Sequence, residues 1–295
     1  MNKLNKKRRQ FIFISLLIPV TLLIAFVVFP AIDLFRMSFT DWDGFSADYH
    51  FINFENYISM FHNKDLWLSL RNNAVYFVIH LLMILVELAF AVLLTSKLRA
   101  AKFYKTMVFL PYIINGVAIS YAFSYFFSPI NGAFNGILTA LHLESLIRNW
   151  LSDEKIVNFV LASVSVWRFS GYHVILFMAA LASIPNELLE VARLESATPL
   201  QTFFYIKIRY LSSTFLFVTI MSLISSFKIF REIYLLTTDY PYDSIYMLQH
   251  FMNNKFKSLD YQTLSAAAIL MSLVMVVIIR LLFAMENHFG KDVEG

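Results

Sequence analysis

Glu190-Val191-Ala192-Arg193-Leu194-Glu195-Ser196-Ala197-Thr198-Pro199-Leu200-Gln201, EVARLESATPLQ, stands as a charged island between two long apolar runs. It carries the marks of helix rather than of linker. Ser183-Ile184-Pro185-Asn186-Glu187 reads as a helix start. Pro lies near the first helical position, and Glu187 and Glu190 suit the positive end of the macrodipole. Leu188, Val191 and Ala192, then Glu195, recur at spacings of three and four, giving a short and mostly apolar face. Thr198-Pro199-Leu200-Gln201 is a second start, with Thr at the N-cap, Pro at N1 and Gln at N3, the capping-box pattern. The helix that follows carries Phe203, Phe204, Ile206 and Ile208, with Lys207 and Arg209 near its end, where cations suit the dipole. Residues 183–213 are therefore expected to form two short helices joined by a turn near Ser196-Ala197. Two roles stay open: an interfacial helix pair in a positively charged loop, or a docking element that carries force from a cytoplasmic partner.

Working outward, the 295-residue chain is 59% hydrophobic and 15% charged. Soluble domains are about 45–50% apolar and about 25% charged, so the composition is that of a membrane protein. A hydrocarbon core about 30 Å thick needs roughly 20 mostly apolar residues per helix. Six such spans are expected, at about 11–35, 73–95, 107–128, 157–182, 214–236 and 263–285. No run alternates like a barrel strand, so the fold class is an all-α polytopic membrane protein with six transmembrane helices. Lys3, Lys6, Lys7, Arg8 and Arg9 form a basic tail over 1–10, and the apolar run after it is too long for a signal peptide, so it reads as an uncleaved first span. With the N-terminus inside, the segments 1–10, 96–106, 183–213 and 286–295 hold most of the Lys and Arg that lie outside the spans. Both termini and the 183–213 loop are thus expected to be cytoplasmic, around a membrane domain of 11–285. The outer loops carry Asp41, Asp43, Asp48, Trp42 and Trp67, and two of them look partly helical, near 136–151 and 244–255.

Several function classes drop out. Basic residues sit between apolar runs rather than on one soluble face, which argues against nucleic acid. The chain has no Cys, so it has no thiolate metal site and no disulfide. It contains no P-loop, no GxSxG and only 7 Gly from which to build a phosphate cradle. The expectation is a non-catalytic subunit with no cofactor of its own; if ATP is used, another subunit binds it.

The 183–213 loop resembles that of binding-protein-dependent ABC importer permeases. That family carries a cytoplasmic Glu-Ala-Ala segment, then Gly, then Ile-x-Leu-Pro at fixed spacing. Here the same spacing holds Glu190-Val191-Ala192, Ser196 and Ile206-Lys207-Ile208-Arg209. Val191, Ser196, Ile208 and Arg209 depart from the family residues, and the family Gly replaced by Ser196 would suit a left-handed backbone. Further features are similar to the sugar-importer branch, the permeases for maltodextrins, multiple sugars and glycerol phosphate. They are Ser38-Phe39-Thr40-Asp41-Trp42-Asp43-Gly44, Asn53-Phe54-Glu55-Asn56-Tyr57, Phe109-Leu110-Pro111, Val166-Trp167-Arg168 and Phe230-Arg231-Glu232-Ile233-Tyr234. After Thr237, Thr238-Asp239-Tyr240-Pro241 replaces the Gly-rich turn usual in that branch.

The resemblance implies an ABC type I importer permease-like fold in a bacterial plasma membrane. It implies a heterodimer with a second homologous permease, two ATPase subunits that bind ATP and Mg, an extracytoplasmic solute-binding protein and a carbohydrate substrate. Glu190 would be the polar anchor of the ATPase-docking helix, with Leu188, Leu189, Val191, Ala192, Leu194 and Ser196 around it.

Ionisable groups inside spans are functional candidates. His80 and Glu87 are seven apart and share a helix face, which reads as a polar seam against a neighbouring helix or as part of a pathway. Trp167, Arg168, Tyr172 and His173 cluster in the fourth span; Lys228, Arg231 and Glu232 cluster in the fifth. Lys228 and Glu232, at i and i+4, are placed to pair. A possible substrate pathway is thus Trp167, Arg168, Tyr172, Lys228, Arg231 and Glu232. Two rival functions share these residues: a secondary transporter driven by Lys228–Glu232 or Glu87 without any ATPase, and a membrane sensor or scaffold that docks a partner and moves nothing.

Overall fold

Helix α1 (Lys3–Leu23) runs through a π turn at Ile24–Val28 into α2 (Phe29–Met37), making the first span longer than the expected 11–35. The π turn has a local cause. Pro30 has no N–H for the carbonyl four residues back, and a widened turn just before it absorbs the missing bond. The computed structural model describes residues 3–95, 100–228, 230–237 and 243–289. Lys97, Arg99 and the Thr238-Asp239-Tyr240-Pro241 turn lie outside the described residues, as do the side chains of Lys228 and Glu232. By contacts the chain divides into two units, Met1–Lys64 with Met252–Val274, and Asp65–Phe251 with Met275–Gly295.

In the first unit the chain after α2 ties itself into a small knot. Asn56, in α3 (Glu55–His62), donates to the carbonyls of Ser38 and Thr40 at 3.0 and 2.9 Å, and the Tyr57 hydroxyl donates to Ser38 Oγ at 2.8 Å. Phe39 lies against Phe35, Phe51, Phe54 and Tyr57, and a single bridge joins Thr40 to Phe51. Asp43 receives the amides of Phe45 and Ser46 and the Ser46 hydroxyl at 2.9, 2.8 and 2.7 Å. The Ser46 amide, then its hydroxyl and the Phe45 amide, hold the Asp43 carboxyl down at about 2. Gly44 is needed in this turn: its φ is +93°, and a Cβ there would sit 2.3 Å from the Tyr261 ring. Gln262 closes the knot by donating to the Asp41 carbonyl at 2.6 Å. The two motifs at 38–44 and 53–57 are thus one folded element. α14 (Leu248–Lys257) and α15 (Tyr261–Phe289) follow a loop and each pass from one unit to the other.

The second unit is built on two long helices. α4 (Lys64–Thr95) begins at Lys64 rather than near 73, and α8 (Val157–Ala182) matches its expected span. His80 meets Ser165 and Glu87 meets His173, so the two helices run parallel in a register that advances together. Parallel neighbours oblige the chain between them to return to its starting side. α5 (Ala101–Ile113) and α6 (Gly116–Phe126) supply that return: Tyr112 lies on Tyr172, and Ile119 and Phe127 pack with Val164.

The third span is not the continuous helix expected over 107–128. It breaks at Ile114-Asn115 and turns by 101°. Asn115 caps the second piece, its side chain accepting the Val117 amide at 2.9 Å. Beyond it, α7 (Ala133–Ala140) and a short 3-10 turn at Glu144–Leu146 lead into α8, less helix than expected over 136–151.

α12 (Ser212–Lys228) and α13 (Phe230–Thr237) run back along α8: Phe215 meets Phe177 at one end, and Ile233 packs with Tyr76 and Val157 at the other. α12 by itself, from 212 to 228, covers about 24 Å at ~1.5 Å per residue. Four helices are long and apolar enough to cross a membrane, and the number rises to as many as six if each bent pair, 101–126 and 199–227, is one span. Among the described residues no strand forms.

Candidate functional site

α8 ends where Ser183 caps it, and Pro185 turns the chain into α9 (Asn186–Leu194). Leu189 faces inward and packs on a core that includes Leu94, Leu181, Ile184 and Leu211, while Ala192 is buried. The other face looks away from this core: Leu188 is 38% exposed, Val191 51% and Leu194 85%, with Glu190 exposed beside them. Of the residues expected to dock a partner, Leu188, Glu190, Val191 and Leu194 are therefore free to do so within this chain. Leu189 and Ala192 hold the helix down.

The turn after α9 is fixed by two interlocking motifs. The Ala197 amide reaches the Ala192 carbonyl at 2.9 Å and the Ser196 amide reaches the Arg193 carbonyl at 3.1 Å, the two bonds of a Schellman stop. Ser196 takes the left-handed conformation this stop requires, with φ +57°. The next helix starts at once. Thr198 Oγ1 accepts the Gln201 amide, and Gln201 Oε1 accepts the Thr198 amide at 2.8 Å, the capping box expected there. α10 (Pro199–Gln201) then continues through a π turn at Thr202–Lys207 into α11 (Ile208–Tyr210). Phe203, Ile206 and Ile208 pack inward. Phe204 does not: it is exposed, as are Leu200 and Tyr205.

Within the membrane part, the structure separates the residues grouped in the fourth span. Arg168 and Tyr172 share one face. The Arg168 guanidinium lies 5.2 Å over the Phe169 ring, Tyr172 stacks on Tyr112 with centroids 5.0 Å apart, and Arg231 is near enough for its charge to be felt at Arg168. Trp167 turns elsewhere, meeting Phe123 edge-on at 5.2 Å and lining an apolar groove of about 910 Å³ with Phe126, Phe134 and Trp150. His173 leaves the cluster too. Its Nδ1 lies 3.1 Å from both oxygens of Glu87, each residue only 1% exposed. His80 Nε2 is 2.9 Å from Ser165 Oγ. His80 and Glu87 thus form a polar seam between α4 and α8, one of their two expected roles. Asn72 and Asn73 extend polar contacts toward the start of α4, holding the carbonyls of Asp243 and Tyr246 and the Leu248 amide. The sequence did not reveal these contacts, because an Asn pair at the edge of an apolar run looks like ordinary surface.

No protein-family model matches the chain. Whole-length relatives do. It is 30% identical over 278 residues to the probable ABC transporter permease protein YurN of Bacillus subtilis, covering 93% of this chain and 94% of that one. It is 31% identical over 281 residues to the probable ABC transporter permease protein PH1215 of Pyrococcus horikoshii, covering 95% and 96%. The multiple sugar-binding transport system permease protein MsmF of Streptococcus mutans is 28% identical over 282 residues, covering 93% and 94%. In backbone, the chain superimposes with a TM-score of 0.79 on a chain of a bacterial ABC transporter involved in the import of the acidic polysaccharide alginate, over 97% and 99% of the two at 22% identity. That likeness speaks for the fold. A bundle of membrane helices, a capped helix pair packed on it, and end-to-end identity of this level with two such proteins together place this chain in the family of ABC transporter permease proteins.

Proposed function

We propose that this chain is the membrane-spanning subunit of an ATP-driven carbohydrate importer, forming half of the translocation pathway and coupling to a cytoplasmic ATPase through residues 183–213. The observation that carries the coupling role is the outward face of α9: Leu188, Val191 and Leu194 around Glu190, on a helix anchored by Leu189 and Ala192 and stopped firmly at Ser196. Exposed apolar residues on a well-fixed helix are what a groove in a partner binds. The carbohydrate reading draws on the relatives, which are named for multiple sugars, lactose and starch degradation products.

In this assembly both termini and the 183–213 loop are cytoplasmic, two ATPase subunits bind ATP and Mg, and a solute-binding protein delivers substrate on the far side. The first and last spans bury none of their most apolar window within this chain. Those faces suit lipid and a second, homologous permease. Arg168, Tyr172 and Arg231 are the pathway residues with the best support, since aromatic faces and guanidinium donors suit sugar hydroxyls; Lys228 and Glu232 belong to the same stretch. A secondary transporter driven by Glu87 needs a carboxyl that exchanges with water, whereas Glu87 is buried against His173.

The test is reconstitution of the complex in proteoliposomes with Glu190→Lys and Leu194→Arg beside the unaltered chain. ATP-driven uptake is expected to fall about tenfold or more, as for a charged or bulky change at the centre of an interface. Undiminished uptake in both variants sinks the docking role, and uptake by the chain without any ATPase sinks the importer.

A further inference from the structure

Leu211 is the one-residue joint between α11 and α12. Its amide closes the second loop helix on the carbonyls of Lys207 and Ile208 at 3.1 and 3.2 Å, and its carbonyl opens α12 by accepting the Phe215 amide at 2.8 Å. The axis turns by 66° across this joint. The Leu211 side chain is fully buried in the core with Leu94, Leu181 and Ile184. A leucine makes a poor helix start: it offers no oxygen to the free amides of the first turn and nothing negative to the end of the dipole. What it lacks arrives from elsewhere in the chain. Glu286, near the end of α15, accepts the hydroxyl of Ser213, the second residue of α12, at 2.7 Å. The last span thereby sets a carboxylate at the positive end of α12.

We propose that Glu286 is a positioning residue for transport: through Ser213 it ties the last span to the joint by which motion of the 183–213 loop enters α12. This rests on the coupling role proposed above. A loop pushed from one side moves a span only if the joint between them resists folding. With the tether in place, a shift of α9 to α11 draws α12 and the end of α15 as one piece. With it gone, the bend at Leu211 takes up the stroke. A partly exposed hydrogen bond contributes little to overall stability, so its loss acts on this transmission rather than on folding.

The experiment uses the whole complex in proteoliposomes and reads uptake per ATP hydrolysed. The chain has no native Cys, so in a parallel sample Leu194→Cys carrying a photoactivatable maleimide crosslinks to the ATPase from one defined position and reads out docking. Glu286→Ala and Ser213→Ala are each expected to lower the uptake-to-hydrolysis ratio about two- to tenfold with crosslinking unchanged. The double variant is expected to be no worse than either single one, because the two residues act through one contact. Glu286→Gln keeps an acceptor and is expected to hold most of the ratio. An unchanged ratio in Glu286→Ala, with crosslinking intact, overturns the tether alone; so does a double variant whose losses add. If Leu194→Cys never crosslinks in the otherwise unaltered chain, the coupling role fails and the tether's role fails with it.

Discussion

At the scale of one residue, Ser196 shows how a local departure is absorbed. It stands where the resembling family has Gly, and it adopts the left-handed conformation anyway, held by the Schellman bonds before it and the capping box after it. That conformation costs a non-glycine residue roughly 1–2 kcal/mol, part of which Gly gives back in unfolded-chain entropy. Ser196→Gly is therefore expected to stabilise the protein by about 0.5–1 kcal/mol, measured by denaturant unfolding in detergent. A destabilised Gly variant would mean that the Ser196 side chain does something its backbone does not reveal. This turn was legible in the sequence, because caps are written in short-range residue patterns. The division of α9 into an anchoring and an outward face was not. Leu189 and Leu194 are chemically identical, and only the core beneath the helix distinguishes them.

At the scale of an element, the third span is where hydropathy misleads. The run from Phe109 through Ile114 is apolar without interruption, so a window average sees one helix. The chain instead turns by 101° there. Pro111 and the capping residue Asn115 were the signals, but both also occur inside continuous spans, where neighbours satisfy the freed backbone groups. The α5–α8 contact explains how closely this piece is held. A Cβ on Gly171 would lie 2.0 Å from the Val108 carbonyl oxygen, so the helices meet backbone to backbone. Close approach of this kind is how membrane helices gain packing without a hydrophobic drive. Gly171→Ala is expected to cost about 3 kcal/mol, the upper end for overpacking, since the obstructing atoms are backbone. Thermal unfolding of the purified variant checks it; an unchanged midpoint would show that α5 can move aside freely.

At the scale of the whole molecule, the all-helical membrane architecture was legible and the pairing of helices was not. Length and apolarity mark the spans. Which span lies beside which depends on where a few polar side chains find partners, and Glu87 was ambiguous until His173 appeared opposite it. The same reason hid the pathway: Trp167, Arg168 and His173 are near neighbours in sequence and point three ways. The seam makes its own prediction. Removing one member of a buried pair strands the other, whereas removing both and filling the space with apolar groups is close to neutral. Glu87→Leu is expected to cost about 3–5 kcal/mol, and Glu87→Leu with His173→Leu to recover most of that loss. Unfolding of the single and double variants decides it, and simple addition of two losses would show that the residues do not act as a pair.

The parallel course of α4 and α8 also bears on how the chain is made. Two spans that run the same way cannot enter the bilayer as a hairpin, so α4 must be inserted before its partner exists. Glu87 leaves the ribosome 86 residues ahead of His173. At roughly 5–20 residues per second that is a wait on the order of 4 to 17 seconds. During it, α4 holds a carboxyl group in or beside lipid at a cost of about 2.5–3.5 kcal/mol, carried by the strongly apolar residues around it. The seam that later joins the two helices begins as a debt of membrane insertion, and the span must be greasy enough to enter alone.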